Sequence, residues 1–584
     1  MRFRMVCVLL GAVLLASGAA APAAGADAAF RFAILSDRTG GHVPGIYPRV
    51  IDEINLLGPD IVVTVGDHIE GYTDDVEWAD AEWDSLMGLL GRLEAPVYVT
   101  PGNHDIWSDT SEEVYVRRTS RRPHYSFDYA DAHFIILDNS RFESWDDLPE
   151  DQRLWLIADL EANRNAGHTF VFCHKPFWYF TLAVGKPDPL HDILVRYEID
   201  AVFSGHFHYY FAGSYDGIDY ASIGSSGGYM YHQDDQPVER GEFFQFGWVT
   251  VRESGYDLAL IHLDGVYPPD VATIETGREI LRIESELITT GRIPVTGTQP
   301  MTATVSIENV ASRPVEDVIA WQIPDGWRVD PPVLKICVDP GESADYEFLL
   351  SNPGSLYPLP EFGLGYPMSN GRELAARISP RIVRRVVAER LDRGPIIDGN
   401  VTESCWSRVT PATELYPPYD DARLDEETSF YFACDNENLY LAAVCNDGDM
   451  DAVTADVLDR DGPVYSEDCV GYFLSPTLDG RVVYQFYFNP RGAIFDQRIS
   501  FDEAWLYDVD RSWDGEYEVA THRTFDRWSI EVRIPRESLG LETTPGQILG
   551  ANFRRKLGRT RGGIADWQVP IDYDPRTFGE LVLN

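Results

Sequence analysis

Five groups of polar side chains stand in the first 210 residues at points where short apolar runs end. The runs cover residues 32–36, 61–66, 97–102, 169–173 and 201–205. The polar residues that follow them are Asp37, Asp67, Asn103, His104, Asp105, His174, His206 and His208. Such runs predict strands, and the carboxyl ends of parallel strands meet at one edge of a sheet. Carboxylates, an amide oxygen and imidazoles together suit two divalent or trivalent metal ions such as Mn, Fe, Zn or Mg.

A pair of metals would give these residues a definite chemistry. Two ions bridged by one carboxylate can activate a water molecule that attacks phosphorus at neutral pH. An imidazole that binds neither ion could protonate the leaving oxygen. The chain contains every residue type that this reaction requires.

The elements that position these residues are predicted by periodicity. Residues 48–57, 78–93 and 151–165 are amphipathic and alternate with the apolar runs, as in an α/β domain. Towards residue 263 the helical patterns give way to antiparallel strands. We therefore expect residues 27–265 to form a two-sheet α/β sandwich flanked by helices.

The same polar motifs closely resemble those of the calcineurin-like metallophosphoesterases over about 230 residues. The resemblance implies a hydrolase of phosphomonoesters or phosphodiesters that uses a metal-bridging hydroxide. It also implies that Asp67 bridges the metals and that His104, oriented by Asp105, is the unligated catalytic imidazole. The implied ligands are Asp37 and His208 for the first metal, and Asn103, His174 and His206 for the second.

One position departs from that family. Most members have a histidine where this chain has Thr39, and purple acid phosphatases of the same superfamily use a tyrosine at the position of Glu70. Glu70 is therefore predicted to complete the first metal site, with His42 or His68 as weaker candidates. An oxygen-rich first site favours manganese, iron or magnesium. Arg38 could grip the substrate phosphate, or form a surface ion pair.

All-β patterns predominate after a connector at residues 266–288. Strand-like runs in residues 289–380, including 301–308 and 315–322, predict an immunoglobulin-like sandwich. Residues 381–395 are rich in arginine and are predicted to be an exposed linker.

Residues 396–584 predict a jelly-roll-type β-sandwich. Ile397-Asp398-Gly399, Trp406 and 438–442 resemble family 9 carbohydrate-binding modules, which implies a polysaccharide or cell-surface glycan as partner. The candidate sugar-binding residues are Trp505, Trp513 and Arg491, with Trp567, Glu467 and Gln497 as further possibilities. The tryptophans could equally fill the core. Asp447, Asp449 and Asp451 could hold calcium or form a solvated acidic turn.

Length and charge set further bounds. The 584 residues exceed one core and indicate about three domains. Residues 1–26 have a basic start, an apolar run and small residues, which predicts a signal peptide and a secreted or periplasmic protein. No later run is apolar enough to predict a transmembrane segment after signal removal. The net charge of −46 disfavours binding to nucleic acid.

Three functional readings follow. The first is a secreted dimetal phosphoesterase targeted to glycans. The second is a non-catalytic, degenerate glycan-binding surface protein involved in carbohydrate breakdown, with Thr39 as its first lesion. In the third the C-terminal domain is only structural, or serves glycan breakdown through an activity that the sequence does not reveal.

Overall fold

The computed structural model describes residues 28–584 except 74, 231–236, 264, 296–299, 353–355, 418–423, 425, 479, 502–506, 543, 559–562 and 570–572. The predicted signal peptide, residues 1–26, lies outside the described residues. The chain divides into two compact units, residues 1–280 and 281–584.

Two six-stranded sheets form the first unit. The first sheet has the order β12-β11-β10-β1-β2-β3 and the second the order β4-β5-β6-β7-β9-β8. Strands β1 to β3 run parallel, as do β5, β6, β7 and β9, and the outer strands are antiparallel. The strands are β1 Ala28–Leu35, β2 Ile61–Thr64, β3 Val97–Tyr98, β4 Tyr125–Tyr129, β5 Ala132–Ile136, β6 His168–Phe172, β7 Ala201–Ser204, β8 Phe211–Tyr215, β9 Ile218–Ser222, β10 Gln245–Arg252, β11 Gly255–His262 and β12 Gly265–Tyr267.

Side chains of the strands point alternately to two sides, so the first sheet packs against the second sheet on one face and against helices on the other. In β1, Phe32 and Ile34 point towards the second sheet, where Phe32 meets Phe134 and Phe170 edge-on at ring-centroid distances of 5.3 Å. Ala33 and Leu35 point the other way, towards the helices. Successive side chains of a strand face opposite sides, so a strand with apolar residues at every position is covered on both faces.

Helices cover the outer faces of both sheets, as the amphipathic segments predicted. Those near the chain start pack on the first sheet, and α4 to α6 pack on the second. The helices are α1 Ile46–Leu57, α2 Val76–Leu90, α3 Asp109–Thr119, α4 Glu150–Ala162, α5 Trp178–Val184, α6 Pro189–Arg196 and α7 Ile274–Arg282. Short helical turns occur at Val238–Arg240, Ile283–Leu287, Trp406–Arg408, Val464–Ser466, Arg536–Leu539 and Pro575–Thr577. Across the part of the chain that the structure describes, no helix combines the length and apolarity needed to cross a membrane.

The second unit begins with two four-stranded sheets, ordered β13-β15-β19-β17 and β18-β16-β20-β21. Trp321 of β16 packs against Phe348 of β19 with ring centroids 5.3 Å apart, so the sheets face each other as a sandwich. Their eight strands are β13 Ile288–Thr289, β15 Met301–Glu308, β16 Val315–Gln322, β17 Arg328–Asp330, β18 Val333–Val338, β19 Ser343–Ser351, β20 Glu361–Pro367 and β21 Glu373–Ile378. The strand β14 Arg292–Val295 lies between β13 and β15 in the chain but belongs to neither sheet.

A larger β-sandwich follows, with a core of aliphatic and aromatic residues that includes Phe432, Tyr472, Trp528 and Phe553. Its strands connect in the order β28-β27-β26-β25-β31-β33-β22-β23-β24-β30-β29, with β14 beside β22 and β32 beside β31. They are β22 Arg381–Arg390, β23 Thr428–Cys434, β24 Asn438–Asn446, β25 Cys469–Ser475, β26 Val482–Phe488, β27 Ile494–Phe501, β28 Tyr507–Asp510, β29 Glu518–Arg523, β30 Arg527–Pro535, β31 Gln547–Lys556, β32 Ile564–Asp566 and β33 Gly579–Leu583.

Residues 381–395 were predicted to be an exposed basic linker, and strand β22 corrects this for residues 381–390. Its first residues pair with β14, its middle with β33 and its end with β23, so it joins the two sheets of the large sandwich. Ile382 and Val383 are buried, and the arginines between the apolar residues find acidic or carbonyl partners. Arginine-rich composition indicated exposure, but apolar residues between the arginines supply a buried face.

Glu580 of β33 joins two neighbouring strands, and its removal should destabilise the second unit. Its buried carboxylate accepts from Arg292 Nε of β14 at 2.9 Å and from Arg385 Nε of β22 at 2.6 Å. Glu580→Gln leaves two arginines short of their countercharge, so we expect a loss of about 3–5 kcal/mol in unfolding free energy. Hydrogen exchange of peptides covering β22 and β33 measures it.

The matched control is Glu373→Gln, because Glu373 pairs with Arg313 and both side chains are more than half exposed. This change should cost under about 1 kcal/mol. Equal exchange rates in the Glu580 and Glu373 variants would contradict the role assigned to Glu580.

Candidate metal centre

The predicted polar residues of the first unit lie at the carboxyl ends of five parallel strands. Asp37 follows β1, Asp67 follows β2, and Asn103 and His104 follow β3 in the first sheet. His174 follows β6, and His206 and His208 follow β7 in the second sheet. Since the two sheets pack face to face, these loops meet along one edge of the sandwich.

One group of donors surrounds the Nε2 atom of His174. This atom lies 2.9 Å from Asn103 Oδ1, 3.1 Å from Asp67 Oδ2 and 3.2 Å from His206 Nδ1. His174 is fully buried and Asp67 nearly so. We call Asp67, Asn103, His174 and His206 the four-donor group.

Backbone carbonyls determine which ring nitrogens face the site. His174 Nδ1 donates to the carbonyl oxygen of Val65 at 2.8 Å, and His208 Nδ1 donates to that of Tyr229 at 2.5 Å. A carbonyl can only accept, so in the neutral rings the proton sits on Nδ1 and Nε2 keeps its lone pair.

A second group shares Asp67 with the first. The donor atoms of Asp37, Asp67 and His208 all lie within 4.8 Å of one another, and His208 Nε2 is 3.5 Å from Asp37 Oδ1. We call these residues the three-donor group. Because Asp67 belongs to both groups, its carboxylate occupies the position that the family resemblance implied for a bridging ligand.

The electrostatics of the site favour a positive charge. Burial alone would lower the pKa of His174, but the carboxylates of Asp67 and Asp37 outweigh it and raise that pKa to about 9. Burial and the neighbouring His174 lower the pKa of His206 to about 3. Burial raises the pKa of Asp37, whereas His174 holds the pKa of Asp67 below its ordinary value.

The four-donor group fits a metal ion. The acceptors that surround His174 Nε2 at 2.9–3.2 Å require a positive charge among them, which a proton on His174 or a metal ion in its place can supply. Two ligands at right angles around an ion, each about 2.1 Å away, stand about 3.0 Å apart. Oxygen and imidazole donors match the ions that the sequence predicted, namely Mn, Fe, Zn and Mg.

His104 stands beside both groups and belongs to neither. Its backbone N–H donates to Asp67 Oδ1 at 2.9 Å, and its Nδ1 donates to the carbonyl oxygen of Glu70 at 2.7 Å. A Cβ atom added to Gly40 would lie 3.1 Å from His208 Nε2 and 3.9 Å from His104 Nε2. The Nε2 atom of His104 is therefore the ring nitrogen directed at the space beside the donors.

Comparison with known proteins agrees with this arrangement. Residues 30–210 match the family described as calcineurin-like phosphoesterase. The chain contains a calcineurin-like phosphoesterase domain. Residues 397–584 match the family described as carbohydrate family 9 binding domain-like, so the large C-terminal sandwich is a domain of that kind.

Relatives of the phosphoesterase domain are distant. The human serine/threonine-protein phosphatase CPPED1 is 26% identical over 192 residues, 29% of this chain and 61% of that protein. Purple acid phosphatase 21 of Arabidopsis thaliana is 31% identical over 190 residues, 28% of this chain and 40% of that protein. The chain thus spans less than two thirds of the length of either relative. A family 9 carbohydrate-binding module from Caldicellulosiruptor kristjanssonii, solved with cellotriose, is 19% identical with a TM-score of 0.26, covering 34% of this chain and 93% of that one.

Glu70 lies outside both donor groups of the phosphoesterase domain. Its carboxylate accepts from the backbone N–H groups of Gly41 and His42 at 3.0 and 2.9 Å, and it meets His42 Nδ1 at 3.1 Å. Thr39, which stands where most members have histidine, is fully buried. That Glu70 completes the first metal site stays a prediction, as does the weaker candidacy of His42.

His68 is not available to a metal, and the role predicted for Asp105 was wrong. The Asp105 carboxylate accepts from the N–H groups of His68, Ile69 and Gly102 and contacts His68 Nδ1 at 2.7 Å. His68 Nε2 meets Thr64 Oγ1 at 2.8 Å, so both ring nitrogens are engaged. Asp105 therefore fixes the two loops that carry Asp67 and Asn103, while a backbone carbonyl orients the His104 ring.

Arg38 is half-buried and its Nη1 donates to the carbonyl oxygen of His68 at 2.9 Å. That contact ties Arg38 to the loop after Asp67. Its predicted grip on the substrate phosphate stays a prediction.

Sequence reasoning missed the residues that hold the ligands from behind. The carbonyl groups of Val65, Glu70 and Tyr229 select the histidine tautomers, and residue type carries no information about them. Glycine does leave a signal: a Cβ atom on Gly66 would lie 2.5 Å from His174 Nδ1, and one on Gly102 would lie 2.2 Å from Asp67 Oδ1. The neighbouring Tyr72 also escaped notice.

The candidate sugar-binding residues that the structure describes in the C-terminal domain differ in burial and in contacts. Trp505 lies outside the described residues. Trp513 is half-buried with its ring centroid 4.8 Å from that of Tyr484, and Arg491 is exposed in the turn between β26 and β27. Trp567 is 2% exposed and stacks near Phe553, so it belongs to the core.

Two polar candidates in the same domain are buried and hydrogen-bonded within it. Glu467 is buried and accepts from the N–H groups of Asp456 and Val457. The amide of Gln497 is buried and donates to Gln485.

The predicted calcium ligands do not converge either. Asp447 is buried with Oδ2 3.8 Å from Arg555 Nη2, whereas Asp449 and Asp451 are exposed. A different trio, Asp461, Asp496 and Asp514, brings carboxylates together, but the Arg460 guanidinium bonds to Asp496 and Asp514. An arginine already supplies the countercharge there.

Unequal donor numbers predict unequal metal affinities. Titration of Mn²⁺ into the chelated protein, followed by calorimetry, should show a tighter and a weaker step, because one group offers four side-chain donors and the other three. His174→Ala should remove the tighter step and His208→Ala the weaker. His522→Ala serves as the control, since His522 is exposed and lies in the C-terminal domain. Two equal steps would contradict the asymmetry, and Glu70→Gln would then show whether Glu70 is the additional donor.

Proposed function

We propose that the protein is a secreted, dimetal-dependent phosphoesterase that a C-terminal carbohydrate-binding module holds near glycans. The observation that carries this proposal is the convergence of two donor groups on the shared Asp67 carboxylate, beside an imidazole that belongs to neither group. Phosphate esters are the substrates that such a site serves, and both monoesters and diesters are compatible with it.

The residues that would hold the ions are those of the two groups. Asp67, Asn103, His174 and His206 would bind one ion, and Asp37, Asp67 and His208 the other. Metal ions in these positions supply Lewis-acid polarisation of the phosphate oxygens and lower the pKa of a bound water molecule.

His104 can deliver a proton without turning its ring. Its Nδ1–H group keeps the hydrogen bond to the Glu70 carbonyl oxygen. The second proton of the imidazolium therefore sits on Nε2, which faces the site. When a water oxygen bonds to phosphorus and the ester bond breaks, the departing oxygen takes this Nε2 proton, the ring remains as the neutral Nδ1–H form, and the proton lost by the water passes to solvent. The Asp67 contact to the His104 N–H keeps the ring close to the donors throughout.

The other domains are proposed to hold the phosphoesterase domain near glycans. We propose an immunoglobulin-like spacer at residues 289–380 and glycan binding by residues 396–584, which the family match of the C-terminal domain supports. Secretion is supported by the apolar segment with a basic start in residues 1–26. The degenerate, non-catalytic alternative would require loss of site residues, yet both donor groups and His104 are in place.

Hydrolysis of p-nitrophenyl phosphate and bis-p-nitrophenyl phosphate tests the enzyme. Activity should vanish on chelation and return with manganese, iron or zinc. With phenyl phosphate, whose leaving oxygen is more basic than p-nitrophenolate, His104→Ala should lower kcat by about a hundredfold to ten-thousandfold while metal stoichiometry is kept, because the variant loses only its proton donor. The exposed His522→Ala is the control and should match the wild type. Folded wild-type protein without turnover in any metal would favour the glycan-binding alternative.

Retention on insoluble polysaccharide tests the module separately. The full chain should be retained, and Trp513→Ala should weaken retention if Trp513 provides an apolar face for a pyranose ring. Trp155→Ala, a half-buried tryptophan of the phosphoesterase domain, is the matched control. A wild-type chain that passes through freely would make the C-terminal domain a structural one.

A further inference from the structure

Tyr72 has a backbone conformation that tyrosine rarely adopts. Its φ is +51°, and the preceding Gly71 has φ +59°. For a bulky side chain the left-handed region costs about 1–2 kcal/mol. A Cβ atom on Gly71 would lie 1.9 Å from the carbonyl oxygen of His104, so glycine is required there and Tyr72 is pressed against the loop that carries His104.

Burial of the Tyr72 side chain in a core does not offset the cost of that backbone conformation. The Tyr72 residue is 51% exposed. Strained residues that remain half-exposed cluster at functional sites, because the strain serves a geometry that folding alone would not select. The question is therefore what Tyr72 touches.

The hydroxyl of Tyr72 contacts a member of the four-donor group. Asn103 Nδ2 donates to Tyr72 Oη at 2.9 Å, while Asn103 Oδ1 faces His174 Nε2 at 2.9 Å. An amide that turns its oxygen inward directs its NH₂ group to the other side, where an acceptor stabilises that orientation. Tyr72 provides that acceptor, so it holds Asn103 in the orientation that presents an oxygen to a cation.

The ring of Tyr72 lies next to the proton-carrying residue. Its centroid is 4.8 Å from that of His104 at an interplanar angle of 76°, and 5.7 Å from that of the half-buried Trp107. An exposed aromatic surface thus adjoins the imidazole that would protonate the leaving oxygen. Whatever is attached to that oxygen must pass close to this surface.

We propose that Tyr72 positions Asn103 through its hydroxyl and selects the substrate through its ring. The ring forms an aromatic wall for leaving groups with a flat apolar face, such as an aromatic or pyranose ring, in preference to small alkyl groups. This inference rests on the proposed phosphoesterase function and names the class of ester that the site prefers.

Two substitutions separate the two roles. Tyr72→Phe keeps the wall and removes the hydroxyl, so Mn²⁺ binding at the four-donor group should weaken by about threefold to tenfold, the effect of one hydrogen bond. Tyr72→Gly removes the ring and also relieves the strained backbone. It should lower the ratio of kcat/KM for phenyl phosphate to that for methyl phosphate at least about fivefold relative to wild type, while Tyr72→Phe keeps this ratio. Comparing ratios cancels the different intrinsic reactivities of the two esters.

Stability separates a functional role from a structural one. Tyr72→Gly should keep its thermal midpoint within about 4 °C of the wild type, because relief of strain offsets the lost contacts. Tyr215→Phe and Tyr215→Gly are the controls, since Tyr215 is a comparably exposed tyrosine on β8. Both should leave the metal affinity and the ester ratio unchanged.

Three results would overturn the inference in part or whole. Unchanged Mn²⁺ affinity in Tyr72→Phe would remove the positioning role, and an unchanged ester ratio in Tyr72→Gly would remove the wall. A wild type that hydrolyses neither ester would overturn the proposed function and the wall together, whereas the Mn²⁺ titration would still decide whether Tyr72 holds Asn103.

Discussion

Buried carboxylates and imidazoles that meet at about 3 Å require a positive charge among them, and Asp67 lies where two sets of them meet. The loops of the first unit are arranged around that requirement. Carbonyl groups hold the far sides of His174 and His208, so that both rings present their Nε2 atoms inward. A cation at the centre of each group contacts all of its donor atoms at once. Without a positive charge, the buried carboxylates would have no countercharge. The proposed reaction follows from this electrostatic requirement.

The loops that carry the donors have unfavourable backbone conformations, and hydrogen bonds from neighbouring groups stabilise them. Asp67, His206 and His208 all have positive φ, a conformation that costs non-glycine residues of order 1–3 kcal/mol each. Asp105 compensates by binding the backbone of both loops from a fully buried position. Glycines allow the loops to approach the ligands more closely than any side chain would. Hydrogen bonds within the protein thus fix the loops that carry the donors, and electrostatic catalysis requires such preorganised groups.

The second unit uses a similar device for a different purpose. There a buried carboxylate, Glu580, connects arginines of two strands, and β22 belongs to both sheets of the large sandwich. The strand β14, which lies between β13 and β15 in the chain, pairs directly with β22. The segment expected to be a linker is therefore part of the domain it was expected to precede.

The sequence by itself determined the elements and the donors of this protein. Apolar runs that end in Asp37, Asp67 or His174 predict strands whose ends meet, because period and residue type are local properties of the chain. The same locality explains the errors. Asp105 adjoins His104 in sequence, yet its partners include His68, 37 residues away, and the His104 ring is oriented by the carbonyl of Glu70.

Only the tertiary structure decided tautomers, partners and exposure. Backbone carbonyls orient the histidines and look alike in every sequence, and the buried face of β22 exists only because three other strands surround it. Tyr72 shows the limit most clearly. Its residue type is ordinary, and its proposed role arises from a strained backbone and from contacts with Asn103 and His104, which chain folding alone brings to it.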